Sequence, residues 1–166
     1  MIFVTVGTHE QQFNRLIEYI DKLVADGKIS EQIIMQIGYC TYEPKHCCWK
    51  RLYSYKKMNE LVNKARIVIT HGGPSSFIMP LQDGKIPIVV PRKFDFDEHV
   101  NNHQVAFTRA VADRMKTVIL VEEVENLLDT ILCYDEICAG MTHELRSNNK
   151  RFNEHLRRIV DEMFVK

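Results

Sequence analysis

The sequence has no apolar run that approaches the roughly 20 residues needed to cross a bilayer. Its start, MIFVTVGTHE, carries no basic leader and is apolar for only about six residues, which predicts a buried strand and not a signal peptide. A cytoplasmic chain is the expectation. No charge dominates: Lys plus Arg is 22 and Asp plus Glu is 22, so nothing calls for nucleic acid as a partner. The five cysteines (Cys40, Cys47, Cys48, Cys133, Cys138) are odd in number and lack framework spacing, which fits reduced thiols. Adjacent Cys47 and Cys48, beside His46, lack the CxxC spacing of zinc ligands, so no metal site is expected there. Neither G-x-G-x-x-G nor GxxxxGK followed by Ser or Thr occurs, which removes the two commonest phosphate fingerprints. Repeats, linkers and low-complexity tracts are absent too. With 166 residues and 45% hydrophobic content, the chain is expected to close one core, as a single domain over 1–166.

What is present is an alternation of strands and helices. Short β-branched runs at 1–6, 32–37, 66–70, 86–91 and 117–121 are continuously apolar, which predicts strands covered on both faces. Between 10 and 26, Phe13, Leu16, Ile17, Ile20, Leu23 and Val24 recur at three- and four-residue spacing and form one helical face. Thr8 with Gln11 reads as a capping box, placing the helix start just after Gly7. Further helices are predicted at 55–64, 75–84, 98–113 and 122–133, and a terminal one at 141–164. That last helix carries Leu145, Phe152, Leu156, Ile159 and Met163 on one side, flanked by Arg146, Lys150, Arg151, Arg157 and Arg158. Packing across its own sheet is the favoured use of this face; a partner or a membrane surface is the other. Strands separated by helices imply right-handed βαβ units in an α/β fold with a Rossmann-like parallel sheet flanked by helices.

In open sheets of this kind, ligands bind beyond the carboxyl ends of the strands. Three loops there are rich in chemistry: Gly7-Thr8-His9, His71-Gly72-Gly73-Pro74-Ser75-Ser76, and the stretch from Arg92 to Gln104. Gly72 and Gly73 are expected to let backbone N–H groups approach a ligand, and Pro74 suits the first helical position, where its missing donor costs nothing. The helix start then offers free N–H groups and a partial positive charge, a place for a diphosphate that needs no metal. Ser75 and Ser76 add hydroxyls. The third loop offers Glu98, Asn102, His103 and Gln104, the donors and acceptors that sugar hydroxyls require.

These stretches carry a resemblance. MIFVTVGTHEQQFNRLIEYID, QIG at 36–38, ITHGG at 69–73, GKIPIVVPR at 84–92 and EHVNNHQ at 98–104 resemble, in order over about residues 1–120, the C-terminal, donor-binding domain of family 28 glycosyltransferases. The chain is similar to the small stand-alone bacterial polysaccharide transferases of that family, and to the catalytic half of the eukaryotic two-part enzyme that adds N-acetylglucosamine to a dolichol-linked sugar. The resemblance implies one half of a GT-B fold, a UDP-sugar donor, no further cofactor, and a separate membrane-associated subunit that receives a lipid-linked saccharide acceptor. It assigns Gly7 and Thr8 to a turn facing the diphosphate. His71, Gly72, Gly73, Ser75 and Ser76 fall in a second such turn, and His103 and Gln104 are placed at the donor sugar with Glu98 and Asn102 beside them.

The reaction so implied is inverting transfer from the UDP-sugar, with charge collecting on the departing UDP. His9 and Glu10 are the base candidates in this chain; the acceptor half is the other place a base can come from. Where many relatives carry a glutamate that holds the ribose hydroxyls, this sequence has Met79, which cannot accept those hydrogen bonds, and Pro80 is expected to kink the helix. A non-catalytic nucleotide-sugar-binding accessory subunit is therefore a second reading, and an epimerase of the same fold a third. Asp95-Phe96-Asp97 is a D-x-D, used for metals in a different transferase fold, and is not expected to hold one here.

Overall fold

The computed structural model describes residues 1–141 and 149–164. Strands β1 (Ile2–Thr5), β2 (Ile33–Gln36), β3 (Cys48–Lys50), β4 (Ile67–His71), β5 (Ile88–Val90) and β6 (Ile119–Leu120) form one sheet of order β3-β2-β1-β4-β5-β6. Every pairing is parallel, with Thr5 level with Gln36 on one side and Thr70 on the other. The helices among the described residues are α1 (Asn14–Ala25), α2 (Tyr55–Lys64), α3 (Pro74–Gln82), α4 (His103–Met115), α5 (Leu127–Leu132), α6 (Tyr134–Ala139) and α7 (Asn149–Phe164).

Alternation along β1 explains why the strands read as unbroken apolar runs. Ile2, Val4 and Val6 point into a cluster with Leu16, Ile17 and Ile20 of α1, while Phe3 points the other way, onto Leu61 and Val62 of α2. A third cluster, around Phe77, Val89 and Val118, fills the space between β5 and the helices α3 and α4. Each fully buried aliphatic or aromatic side chain contributes roughly 1.5–3 kcal/mol relative to exposure. With both faces covered, a ligand is left the ends of the strands.

Several elements depart from the sequence expectation. Strand β3 is an unpredicted edge strand; Cys48-Trp49-Lys50 has no β-branched residue and only its middle side chain is half-buried. Helix α1 begins at Asn14, not just after Gly7, and Thr8 does not cap it. The cause is Arg92, whose guanidinium takes the carbonyls of Gln11 and Gln12 and keeps them out of a helical ladder. Helix α4 begins at His103 and not at 98, because Glu98 is drawn inward by Arg15 and by the Lys93 N–H. The expected helix at 122–133 is a 3-10 turn (Val124–Asn126) followed by α5, and α6 was not foreseen. Helix α3 runs through Pro80 to Gln82. Of the terminal helix expected at 141–164, residues 142–148 lie outside the described residues. From 152 to 164 every side chain of α7 is exposed, Phe152, Leu156, Ile159 and Met163 among them, so this face does not pack across the sheet.

Candidate active site

The chain leaves β1 toward β2 and leaves β4 toward β5, so a crevice opens between the carboxyl ends of these two neighbours, the switch point where α/β sheets take ligands. A cavity of about 760 Å³ occupies it. One end is lined by Gly7, Thr8 and His9 after β1, by His71, Ser75 and Ser76 after β4, and by Gln104 of α4. Tyr53, Tyr55, Met58, Val62 and Met79 line the other.

His71 is the centre of the polar end. Gly7 has a left-handed backbone (φ 76°), and a Cβ there, or at Gly73, would collide with the His71 ring. The two glycines are thus what lets the imidazole stand between the two turns. The Gly73 N–H donates to Nδ1 at 3.0 Å, so the ring proton sits on Nε2, the atom beside Gly7. Burial, then the charge of Arg92, with smaller contributions from His9 and His99, pulls the His71 pKa down to about 4. At neutral pH the ring is therefore a neutral, fixed N–H donor.

Gly72 and Gly73 do something other than expose their amides to a ligand. The Gly72 N–H is accepted by Gln104 Oε1 at 3.0 Å, and a Cβ on Gly72 would stand 2.8 Å from Thr108 Oγ1 and 2.9 Å from Gln104 Cβ. This glycine lets α4 close onto the turn. Ser76 Oγ lies 2.6 Å from the Gly73 carbonyl and 2.9 Å from that of His71, so its single proton serves the main chain. Pro74 has no N–H and that of Ser76 reaches the Gly73 carbonyl at 3.0 Å, so in the first turn of α3 it is the Ser75 N–H that stays open.

Gln104 is buried, and its Oε1 accepts both the Gly72 and the Arg92 N–H, which leaves its Nε2 to donate into the cavity. Gln11 donates its amide Nε2 to the Asp97 carbonyl, so its Oε1 faces His9 Nε2 at 2.9 Å and takes that proton. The lone pair of His9 is then on Nδ1. Its ring stacks on His99, centroids 4.9 Å apart.

The remaining sequence-predicted residues stand away from the cavity wall. Glu98 is fully buried; its carboxylate holds Arg15 Nε and Nη2, each at 2.9 Å, and the Lys93 N–H. It borders a separate groove of about 490 Å³, with Arg15, Tyr19 and Phe96. Asn102 Oδ1 takes the Phe94 N–H, and exposed His103 stacks on Phe107. Glu10 is exposed outside the wall. Sequence reasoning missed Thr5, Gln36, Tyr53, Tyr55, Met58, Val62 and His99 in the lining. His99 sits inside the EHVNNHQ stretch and was within reach; the others come from β1, β2, the β3–α2 connection and α2, where no local pattern marks them.

Among the described residues no carboxylate lines the cavity, and no group of three or more His, Cys, Asp or Glu is placed to hold a metal ion. Asp95 borders a different depression, with Lys93 and Arg109.

A parallel sheet of this order, with glycine turns at its switch point, is one half of a GT-B fold. The glycotransferase of kitacinnamycin shares it in a solved structure: the TM-score is 0.65 at 16% identity, over 95% of this chain and 42% of that one. The chain belongs to glycosyltransferase family 28, matching the glycosyltransferase family 28 C-terminal domain over residues 1–159. It is also 32% identical over 117 residues to the human UDP-N-acetylglucosamine transferase subunit ALG13, a match that spans 65% of this chain and 10% of that protein.

Proposed function

We propose that the chain is the catalytic, donor-binding subunit of an inverting glycosyltransferase that moves a hexose or N-acetylhexosamine from a UDP-sugar to a lipid-linked saccharide in cell-surface polysaccharide synthesis. The observation that carries this reading is the convergence of Gly7, His71, Ser75 and Gln104 on one crevice at the switch point of the sheet. In it the diphosphate meets His71 Nε2–H, the open Ser75 N–H at the start of α3 and the turn after β1. The uracil lies at the apolar end, against Tyr53, Tyr55 and Met58, and the donor sugar extends toward Gln104 and His9.

Charge develops on the leaving UDP as its bond to the anomeric carbon breaks, and a preorganised N–H donor aimed at such charge is worth roughly 3 kcal/mol. The acceptor hydroxyl gives its proton to His9 Nδ1 while its oxygen attacks the opposite face of the sugar, so the anomeric configuration inverts. The electron pair of the broken bond leaves with UDP. No cation is needed in this reading, because neutral N–H groups meet the diphosphate.

Similarity to a protein named as a transferase subunit supports a two-part enzyme. A second, membrane-associated chain then holds the lipid-linked acceptor and recruits this one to the cytoplasmic face. Met79 in the cavity wall favours one rival, an accessory subunit that binds the nucleotide sugar without catalysing transfer. The experiment is turnover of UDP-sugar by the chain co-expressed with its acceptor subunit. His9→Ala and His71→Ala are expected to abolish it; variants that keep wild-type turnover identify the accessory.

A further inference from the structure

Arg92 stands at the carboxyl end of β5 with its side chain fully buried, yet its guanidinium pairs with no carboxylate among the described residues. Nη1 donates to the carbonyls of Gln11 and Gln12, each at 2.9 Å, and of Glu98 at 3.0 Å; Nη2 donates to that of Val6 at 2.8 Å. The guanidinium lies 4.9 Å from the centre of the Phe13 ring. Its own backbone N–H reaches Gln104 Oε1 at 3.2 Å, the same oxygen that takes the Gly72 N–H. A buried cation is costly unless its donors are used; here Nη1 and Nη2 together reach four main-chain acceptors, while the buried Nε has no partner among the described residues.

The four carbonyls are not scattered. Val6, Gln11 and Gln12 bracket the turn that carries Gly7 and His9, and Glu98 precedes His99, the ring stacked on His9. Through Gln104, the residue also reaches the turn after β4. We infer that Arg92 is the positioning residue of the site: without touching the donor, it holds the turn after β1, the turn after β4 and the 92–99 segment in one register. The identity of the ligand rests on the proposed donor site; the coupling of the three segments does not. Lysine cannot replace it, because a single ammonium offers its donors from one point and cannot span carbonyls held by two separate nitrogens.

The test combines amide hydrogen exchange with UDP titration, in the wild type and in Arg92→Lys. In the variant, amides at 6–12 and 92–99 are expected to exchange at least about tenfold faster while β1, β2 and β4 keep their protection. UDP affinity is expected to fall about tenfold, or 1.4 kcal/mol. Faster exchange spread equally over the strands, or loosened loops with unchanged UDP affinity, overturns the inference. In the wild type, where no variant has to fold, saturating UDP is expected to slow exchange at both segments together, and slowing confined to 6–12 overturns it as well. A wild type that binds no UDP sinks the donor reading instead, while the exchange pattern of Arg92→Lys still decides whether this residue couples the loops.

Discussion

The imidazole of His71 occupies the space that a side chain on Gly7 would need, so a histidine at the end of β4 and a glycine after β1 are two parts of one device. Gly7→Ala places a Cβ against Nε2 and forces a left-handed residue, a conformation that costs roughly 1–2 kcal/mol for a non-glycine residue. The expected outcome is a lower urea midpoint together with weaker UDP binding, since the displaced ring no longer presents its N–H. A variant with wild-type UDP affinity would separate the two residues.

The tautomer and low pKa of His71 set a pH dependence. Its folded pKa is about 4, below the ordinary histidine value of 6.5, so the fold favours the neutral ring. The stability this contributes is fully present above pH 6.5 and is lost as the pH falls toward 4, by about 2–3 kcal/mol after allowing for partial exposure. Urea melts from pH 7.5 to 4 should show that loss, and His71→Gln should flatten it. Glu31 acts in a lower window: paired with Arg66 and the N-terminus, its carboxyl is held at about 2, so its contribution fades as pH falls below about 4.5.

Much of this was legible in the sequence, and the exceptions have physical causes. Parallel strands buried on both faces leave an unmistakable apolar run, and glycine between strand and helix marks a turn under close approach. Those two signals marked five of the six strands and the turns after β1 and β4. Patterns of polar residues misled where a tertiary contact captured them. Glu98 sits in a loop dense with sugar-binding residue types, yet its partner is Arg15, 83 positions away, which no local spacing reveals. Arg92 was missed for the same reason: its partners at Val6, Gln11 and Gln12 lie some eighty positions earlier. The glycines of 72–73, expected to face a ligand, instead admit the protein's own His71 and α4.

Glu98→Gln tests that correction. Removing one partner of a buried pair costs roughly 3–5 kcal/mol, because the other charge is left uncompensated. The variant is expected to lose stability in chemical denaturation while keeping its relative preference among UDP-glucose, UDP-galactose and UDP-N-acetylglucosamine. A changed preference would return Glu98 to the sugar.

Met79 leads to a prediction about the nucleoside. Near it the cavity holds no carboxylate, and Gln36 is spent at both ends, on Thr5 Oγ1 and on the Tyr53 N–H. With no carboxylate and no free Gln36 oxygen among the described residues to take the 2′-hydroxyl proton, UDP and 2′-deoxyuridine diphosphate are expected to bind within about threefold of each other, a difference smaller than one typical net hydrogen bond of roughly 1 kcal/mol. Competition calorimetry reads this directly. A tenfold preference for the ribonucleotide would reveal an acceptor that the cavity wall does not offer.

The most direct measurement is a calorimetric titration of UDP into the purified chain in the presence of EDTA, repeated with His71→Ala and Gln104→Ala. The expected result is one nucleotide bound per chain without a divalent cation, weakened at least about tenfold by either substitution. Absence of binding, binding that requires the cation, or binding indifferent to both residues would contradict a cation-free diphosphate site at the carboxyl ends of β1 and β4.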